Sequence, residues 1–193
     1  MKPFEQCVCL ISEQKKKRDD MEKSRQIQLV KKAKKGDDQA FITLCEDYQQ
    51  VIYNAAYKIL LNHADASDCL QEAELKAWQN IRSLKNEAAF NSWLFRIMAN
   101  IAKSMLTKKQ KYVELKDYHL VSQQQETTVS DDIQDSVAKL PDVYRIILVL
   151  YYYAGFSIKQ ISEQERKPIN TVKTRLARGR KMLKELLEDK KYG

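Results

Sequence analysis

Apolar residues recur every three or four positions through three stretches of the first half of the chain, with polar residues between them. This spacing is typical of amphipathic helices that bury one face. We expect Asp65 to cap the second helix, because a carboxylate accepts hydrogen bonds from the N–H groups exposed at a helix start. The three stripes are Phe41, Leu44, Cys45, Tyr48, Ile52, Ala55 and Ile59; Ala66, Cys69, Leu70, Ala73, Ala77 and Ile81; and Phe90, Trp93, Leu94, Ile97, Ile101 and Met105.

The same periodicity returns near the C-terminus, where it predicts a short helix, a turn and a long helix. Pro141 opens a strongly apolar helix that Gly155 ends. Ser157 and Gln160 have the spacing of a capping box at the start of the short helix. Pro168 begins the long helix, whose inward positions are expected to be Ile169, Val172, Leu176, Leu183 and Leu187.

Between the two helical blocks lies a polar segment, 122–132, in which Val129 is the only apolar residue. Such a segment cannot bury enough surface to order itself. We therefore predict an all-α fold of two small helical domains joined by a flexible acidic linker. The predicted boundaries are an N-terminal extension over 1–20, disordered or an artefact of the assigned start, a first domain over 21–112, the linker over 113–136 and a second domain over 137–193.

Composition narrows the class of protein. The chain has 193 residues and a formal net charge of +8, and the predicted domains carry +5 and +7 against −5 for the linker. With 4 Gly and 3 Pro there are too few turn residues for many short strands. The longest apolar stretch is well short of the roughly 20 residues of a membrane span. No export signal is recognisable, so we expect the four cysteines to be reduced in the cytoplasm.

Candidate chemistry for catalysis or metal binding is weak. Cys7 and Cys9 are spaced like half a zinc site, but no second close pair follows and the chain has 2 His. Cys45 and Cys69 lie on apolar stripes and are expected to behave as small buried hydrophobes. No glycine-rich phosphate loop or nucleophile motif is present. We expect no cofactor, no metal and no enzymatic activity.

The long C-terminal helix carries six cations and no acid between residues 173 and 184. A basic helix alone is often only a solvated surface. Here it follows a capped short helix and a turn, the arrangement of a helix-turn-helix whose second helix enters the DNA major groove. The charge pattern therefore favours nucleic-acid binding.

The segment LPDVYRIILVLYYYAGFSIKQISEQERKPINTVKTRLARGRKMLKELL resembles the promoter-reading C-terminal domain of bacterial sigma factors of the extracytoplasmic-function (ECF) group, in the sigma-70 family. DASDCLQEAELKAWQNI resembles the helix by which these factors dock on core RNA polymerase. AAFNSWLFRIMANIAKSML resembles the helix that melts and reads the −10 element. The resemblance implies a sigma factor that directs polymerase to promoters, in a stress response; the alternative is a stand-alone helix-turn-helix regulator.

For the −35 element, the resemblance implies base or groove contacts from Lys173, Thr174, Ala177 and Arg178, and phosphate contacts from Thr171, Arg175 and Arg180. Which of the cations reads a base is left open by the sequence. Val172 and Leu176 are expected in the core. The chain departs from the family pattern at Arg166, which stands where a turn glycine is usual, and this implies either a different turn or a small strain.

For the melted −10 element, the resemblance implies a base contact from Asn100 and a pocket for a flipped base in the loop 83–91. The cations that would follow the backbone of the strand are Arg96, Lys103, Lys108, Lys109 and Lys111. Phe90 and Trp93 could stack on bases, but their spacing favours the core. The residues expected to bind the −10 element are Leu84, Lys85, Asn86, Arg96, Asn100 and Lys103.

The resemblance also implies protein partners. Asp68, Gln71 and Glu72 would dock on the β′ clamp coiled coil of core polymerase. The helix 144–153 would offer a surface to the β flap or to an inhibitor, and since three consecutive tyrosines cannot all face inward, at least one is expected to be exposed. An anti-sigma factor is a further expected partner.

Overall fold

The computed structural model describes residues 23–115 and 132–192, and gives side-chain placement for 24–109 and 135–188. The described residues form helices, with no strand among them. The helices are α1 (Lys23–Lys34), α2 (Asp38–Leu60), α3 (His63–Asn80), α4 (Phe90–Leu115), α5 (Asp132–Ala138), α6 (Asp142–Tyr152), α7 (Ile158–Glu165) and α8 (Ile169–Tyr192). Two short 3₁₀ turns, Ile81–Ser83 and Glu87–Ala89, lie between α3 and α4.

Helices α1–α4 pack as one bundle around the three predicted stripes. Leu44, Ile52 and Ile59 of α2 are fully buried, and the edge of the Phe90 ring packs against Tyr48. The predicted cap at the start of α3 is wrong. Asn62 caps this helix by accepting a hydrogen bond from the N–H of Asp65, so Asp65 lies in the first turn instead.

Helices α6–α8 form the second block with the predicted order and caps. Ser157 and Gln160 make the capping box of α7, and Pro168 precedes α8 as expected. Val172 and Leu176 are buried, which confirms the predicted core positions. Ile169 is 44% exposed, so the prediction that it faces inward is wrong: it is the first residue of α8, and the buried positions of this helix begin at Val172.

The close approach of α6 and α8 depends on Gly179. A Cβ atom at this position would lie 3.2 Å from the Cβ of Tyr144 and 3.2 Å from the Cδ1 of Leu148. The Tyr144 Cβ is fixed to the α6 backbone and cannot move aside without shifting that helix. Gly179 therefore lets α8 pack tightly on α6, which holds α8 in place while its other face remains exposed.

The two blocks also contact each other through a buried arginine of α6. Arg145 is 4% exposed, and its Nε donates to the carbonyl of Ile59 at the C-terminal end of α2, at 3.1 Å. Its Nη1 donates to the carbonyl of Leu140 at 2.8 Å, and its Nη2 pairs with Asp142 at 2.6 Å. The last carbonyls of a helix have no hydrogen-bond partner within the helix. One guanidinium therefore bonds carbonyl oxygens on both sides of the contact, those of Ile59 and Leu140.

The remaining sequence expectations fall partly outside the described residues. The extension 1–20, with Cys7 and Cys9, lies outside them, as does most of the predicted linker. Helix α4 reaches Leu115 and α5 begins at Asp132, each inside the range assigned to the linker. No helix within the described ranges is long and apolar enough to cross a membrane.

The two described cysteines lie on the apolar stripes of the first bundle. Cys69 is fully buried and Cys45 is partly buried. Burial raises the pKa of each thiol to about 12. Both therefore stay protonated at neutral pH and serve as small packing residues, as the sequence predicts.

Candidate nucleic-acid interface

Helix α8 presents one face to solvent that is opposite its buried side. Lys173, Thr174, Ala177 and Arg178 are all exposed, whereas Val172 and Leu176 on the other side are buried. No ion pair of the described residues includes Lys173 or Arg178; farther along, Lys181 and Lys184 lie near Glu185 and Glu188, at 3.8 and 3.7 Å. The exposed face therefore combines two available cations, a hydroxyl and a methyl group, which together can contact base edges in a major groove.

The three residues expected at phosphates lie differently. Thr171 and Arg175 are partly buried at the edges of the exposed face. The guanidinium of Arg180 lies over the rings of Tyr151 and Tyr152, with its Cζ 5.2 and 5.5 Å from their centroids. Arg180 therefore packs on α6 and points away from the face formed by Lys173 and Arg178.

The three consecutive tyrosines at the C-terminal end of α6 differ from the expectation that at least one of them is exposed. Tyr151, Tyr152 and Tyr153 are each partly buried, and none is exposed. Arg180 covers the first two rings, and the Nζ of Lys58 lies 5.0 Å from the ring centroid of Tyr153. Cations stack favourably on aromatic faces. The prediction of an exposed tyrosine is wrong because such cations cover the rings.

The turn between α7 and α8 has the strained geometry that the missing glycine implies. Arg166 has φ +50°, in the left-handed region that favours glycine. The turn is held by Ser162, whose hydroxyl donates to the carbonyl of Lys167 at 2.6 Å and whose carbonyl accepts from the N–H of Lys167 at 3.1 Å. These bonds compensate for the conformational cost at Arg166 and keep the helix-turn-helix angle.

In the first bundle, the loop between the two 3₁₀ turns has one buried and two exposed residues. Leu84 is 5% exposed, so its side chain is not available to DNA and we leave it out of the proposed contact set. Lys85 and Asn86 are exposed. The Oδ1 of Asn86 accepts from the N–H of Ala88 at 3.0 Å, a bond that does not use the donors of its amide NH₂.

The α4 residues expected at the −10 element lie against the second block. The Nε2 of Gln164 donates to the Oδ1 of Asn100 at 2.7 Å and to the carbonyl of Arg96 at 3.3 Å. Lys103 forms an ion pair with Glu165. We call these bonds the α4–α7 contact. It occupies the side chains of Asn100 and Lys103, and sequence reasoning missed it because nothing in a helical stripe specifies a distant polar partner.

Farther along α4, the structure describes the side chains of two of the three remaining lysines that are expected to follow the DNA backbone. Lys108 is exposed, and Lys109 forms an ion pair with Asp65 of α3. The side chain of Lys111 lies outside the described residues. Phe90 is 1% exposed and Trp93 is partly buried beside it, with ring centroids 5.9 Å apart. The aromatic pair therefore belongs to the bundle core, as the helical spacing predicts.

A separate surface lies on α3. Asp68, Gln71 and Glu72 are exposed, and Glu72 pairs with Lys76 at 2.6 Å. Beside them a groove of about 520 Å³ runs between α2 and α3, and Ile42 and Leu75 at its edge are 47% and 57% exposed. These two apolar residues were not predicted as part of a site, although their positions off the buried stripes were a signal in the sequence. Exposed apolar residues beside acids are typical of a protein-docking surface.

Known proteins resemble the chain over both blocks. The family model for sigma-70 region 2 matches residues 44–112, and that for sigma-70 region 4 matches residues 130–183. The ECF RNA polymerase sigma factor SigW of Bacillus subtilis (strain 168) is 33% identical over 183 residues, covering 83% of this chain and 95% of that protein. The ECF RNA polymerase sigma-E factor of Haemophilus influenzae is 28% identical, covering 83% and 94%.

Two solved structures share the fold. The sigma factor RpoE in complex with the anti-sigma factor NepR, from Bartonella quintana, is 25% identical with a TM-score of 0.58, and the match covers 74% of this chain and 95% of that one. CnrH in complex with the cytosolic domain of CnrY is 20% identical with a TM-score of 0.61, covering 86% and 98%. At 20% identity, the similarity to CnrH shows a shared fold and nothing more.

Proposed function

The chain belongs to the ECF group of the sigma-70 family of RNA polymerase sigma factors, and we propose that it reads promoters through two separate DNA surfaces. The observation that carries this proposal is the exposed face of α8, where Lys173, Thr174, Ala177 and Arg178 point away from the core. This face would contact the −35 element as duplex DNA, with Thr171 and Arg175 at its flanks on the phosphates.

The second surface would contact the −10 element as a melted strand. Asn100, with an amide that both donates and accepts, suits a base edge, and Lys85 and Asn86 suit a flipped base in the adjoining loop. Arg96 and Lys103 would neutralise phosphates along the strand. The two matched sigma-70 regions favour this function over a stand-alone regulator, which needs no −10 surface or polymerase-docking helix.

The proposed partners follow from the same premise. The exposed Asp68, Gln71 and Glu72, with Leu75 beside them, would dock on the β′ clamp coiled coil of core polymerase, and the α6 face would approach the β flap. Because the relative RpoE is bound to an anti-sigma factor, we propose the same class of inhibitor for this chain. The polymerase would carry out RNA synthesis, and this chain would supply no catalytic group. It would act in the cytoplasm, in a stress response.

Run-off transcription with purified core polymerase tests this function. The chain should direct transcription from promoters enriched from a library randomised at both elements, and core polymerase without the chain should not. Substituting Asp68 and Glu72 together with alanine should lower co-purification with core polymerase while leaving the fold intact, since both residues are exposed. Binding of the free chain to duplex DNA that is unaffected by polymerase would favour the regulator instead.

The α4–α7 contact predicts that DNA and α7 compete for the same side chains. In the variant combining Gln164→Ala and Glu165→Gln, Asn100 loses its hydrogen-bond donor and Lys103 loses its ion-pair partner. Affinity of the free chain for a single-stranded −10 oligonucleotide should rise roughly 5- to 30-fold, corresponding to about 1–2 kcal/mol from one charge-assisted and one neutral hydrogen bond. Fluorescence anisotropy with a labelled oligonucleotide measures this change.

The matched control for this prediction is Glu163→Gln, which removes an exposed acid from the same helix without touching α4. Its effect on affinity should be less than 2-fold, because exposed charges act weakly through screened solvent. An equal gain in both variants would mean that the charge of α7, and not the contact with α4, controls binding.

A further inference from the structure

The loop between the two 3₁₀ turns is held from behind by a lysine of α1. The Nζ of Lys34 donates to the carbonyl of Leu84 at 2.8 Å and to the Oε1 of Glu87 at 2.7 Å. The side chains of Lys34 and Glu87 are each only 24% exposed, so both bonds are partly shielded from solvent. One ammonium group thus ties together both ends of the span 84–87.

A second anchor fixes the same loop through its backbone. The Nε2 of Gln26 donates to the carbonyl of Glu87 at 3.3 Å, and the hydroxyl of Tyr48 donates to the Oε1 of Gln26 at 3.3 Å. Gln26 is 6% exposed and Tyr48 is 4% exposed, so this chain of bonds begins in the bundle core. Together with the buried side chain of Leu84, the anchors leave Lys85 and Asn86 as the exposed part of a fixed loop.

The hydrogen bond from Lys34 also keeps Glu87 in the form that the anchor needs. It is the largest cause that lowers the pKa of Glu87 below its ordinary value, and the charge of Lys31 contributes in the same direction. Glu87 is therefore a carboxylate at neutral pH, and the ion pair with Lys34 persists across the physiological range.

We propose that Lys34 is a positioning residue that sets base preference at the −10 element through the loop Lys85–Asn86, without contacting DNA. This inference rests on the proposed function of that loop. A loop ordered in advance loses less conformational entropy when it binds, and it holds its donors where one base fits better than the others. Loosening the loop removes that discrimination first, because a mobile loop adapts to several bases.

The test measures promoter discrimination by the complete chain reconstituted with core polymerase. Its templates are a promoter enriched from a −10 library and versions of it substituted at single −10 or −35 positions. In Lys34→Met, transcription from the enriched promoter should fall roughly 5- to 20-fold, and the ratio between the enriched and the −10-substituted promoters should shrink by at least about 5-fold. The penalty for −35 substitutions should be unchanged, and Lys34→Arg should retain most of the discrimination, since a guanidinium can donate to both acceptors.

The control is Lys32→Met, which removes an exposed charge from the same helix and leaves in place both bonds that Lys34 donates to the loop. Its −10 discrimination ratio should equal that of the wild type. Thermal unfolding of each variant separates loss of discrimination from loss of fold. A further variant, Glu87→Gln, retains the bond from Lys34 to Leu84 and should give an intermediate −10 discrimination ratio. An unchanged ratio in Lys34→Met, or an equal fall on every promoter, would overturn the positioning role.

A different set of variants tests the proposed function of the loop, independently of the positioning role of Lys34. If Lys85→Ala and Asn86→Ala leave −10 discrimination unchanged, the loop does not read the element. If those substitutions reduce discrimination and Lys34→Met does not, only the positioning role is lost.

Discussion

Replacing both Lys173 and Arg178 with alanine should reduce transcription from a −35-dependent promoter by roughly 30- to 1,000-fold, or about 2–4 kcal/mol. Both side chains are exposed on the α8 face, and neither takes part in a described ion pair, so each is available to DNA. A well-placed cation on a guanine edge contributes about 1–3 kcal/mol of discrimination. Run-off transcription at matched salt measures the loss, since phosphate contacts alone make affinity strongly salt-dependent.

The control combines Lys181→Ala and Lys184→Ala, which removes the same charge from the same helix two turns farther along. These lysines are exposed on the same side of α8 but lie beyond the four residues of the proposed reading face, and each is near an acid, Glu185 or Glu188, at 3.8 and 3.7 Å. Their loss should cost less than about 10-fold and leave the ranking of −35 sequences unchanged. An equal cost in both double variants would mean that α8 acts through net charge, and the assigned reading face would be wrong.

The helices and most of their caps could be predicted because the information is local. An apolar stripe, a capping box and a proline before α8 each depend on residues within a few positions. The errors lie at helix starts: Asn62, three residues before Asp65, caps α3, and Ile169, the first residue of α8, is exposed although it shares the spacing of the buried stripe. The pattern identified both helices, but it misplaced the cap of α3 by three residues and placed the first residue of α8 in the core.

The contacts between the blocks could not be predicted in this way. A stripe identifies which face of a helix is buried, but it does not identify the partner. Arg145 looks like an ordinary surface cation in the sequence, because its acceptors come from the end of α2, 86 residues away, and from the connection between α5 and α6, 5 residues away. The side chain of Leu84 shows the same limit: the resemblance implied a contact with DNA, whereas in the folded bundle this residue is only 5% exposed.

Arg145→Met should lower the free energy of unfolding by about 3–5 kcal/mol, the usual cost of removing one partner from a buried charge network. Methionine fills a similar volume but leaves the carbonyls of Ile59 and Leu140 without their donor. Burial lowers the pKa of Arg145 and the charge of Asp142 opposes this, yet an arginine stays protonated at neutral pH. Urea denaturation followed by circular dichroism measures the loss, and Lys139→Met, at an exposed neighbouring position, should change stability by less than about 0.5 kcal/mol.

The position of the tryptophans makes this experiment a test of coupling between the blocks. The chain has 2 Trp, Trp78 and Trp93, and both lie in the first bundle, whereas Arg145 lies in the second block. Because the Nε of Arg145 donates to the last turn of α2, its loss should also shift the unfolding midpoint reported by tryptophan fluorescence. If dichroism shifts and fluorescence does not, Arg145 stabilises α5 and α6 alone. A shift in both signals would mean that one guanidinium couples the stability of the two helical blocks in the free sigma factor.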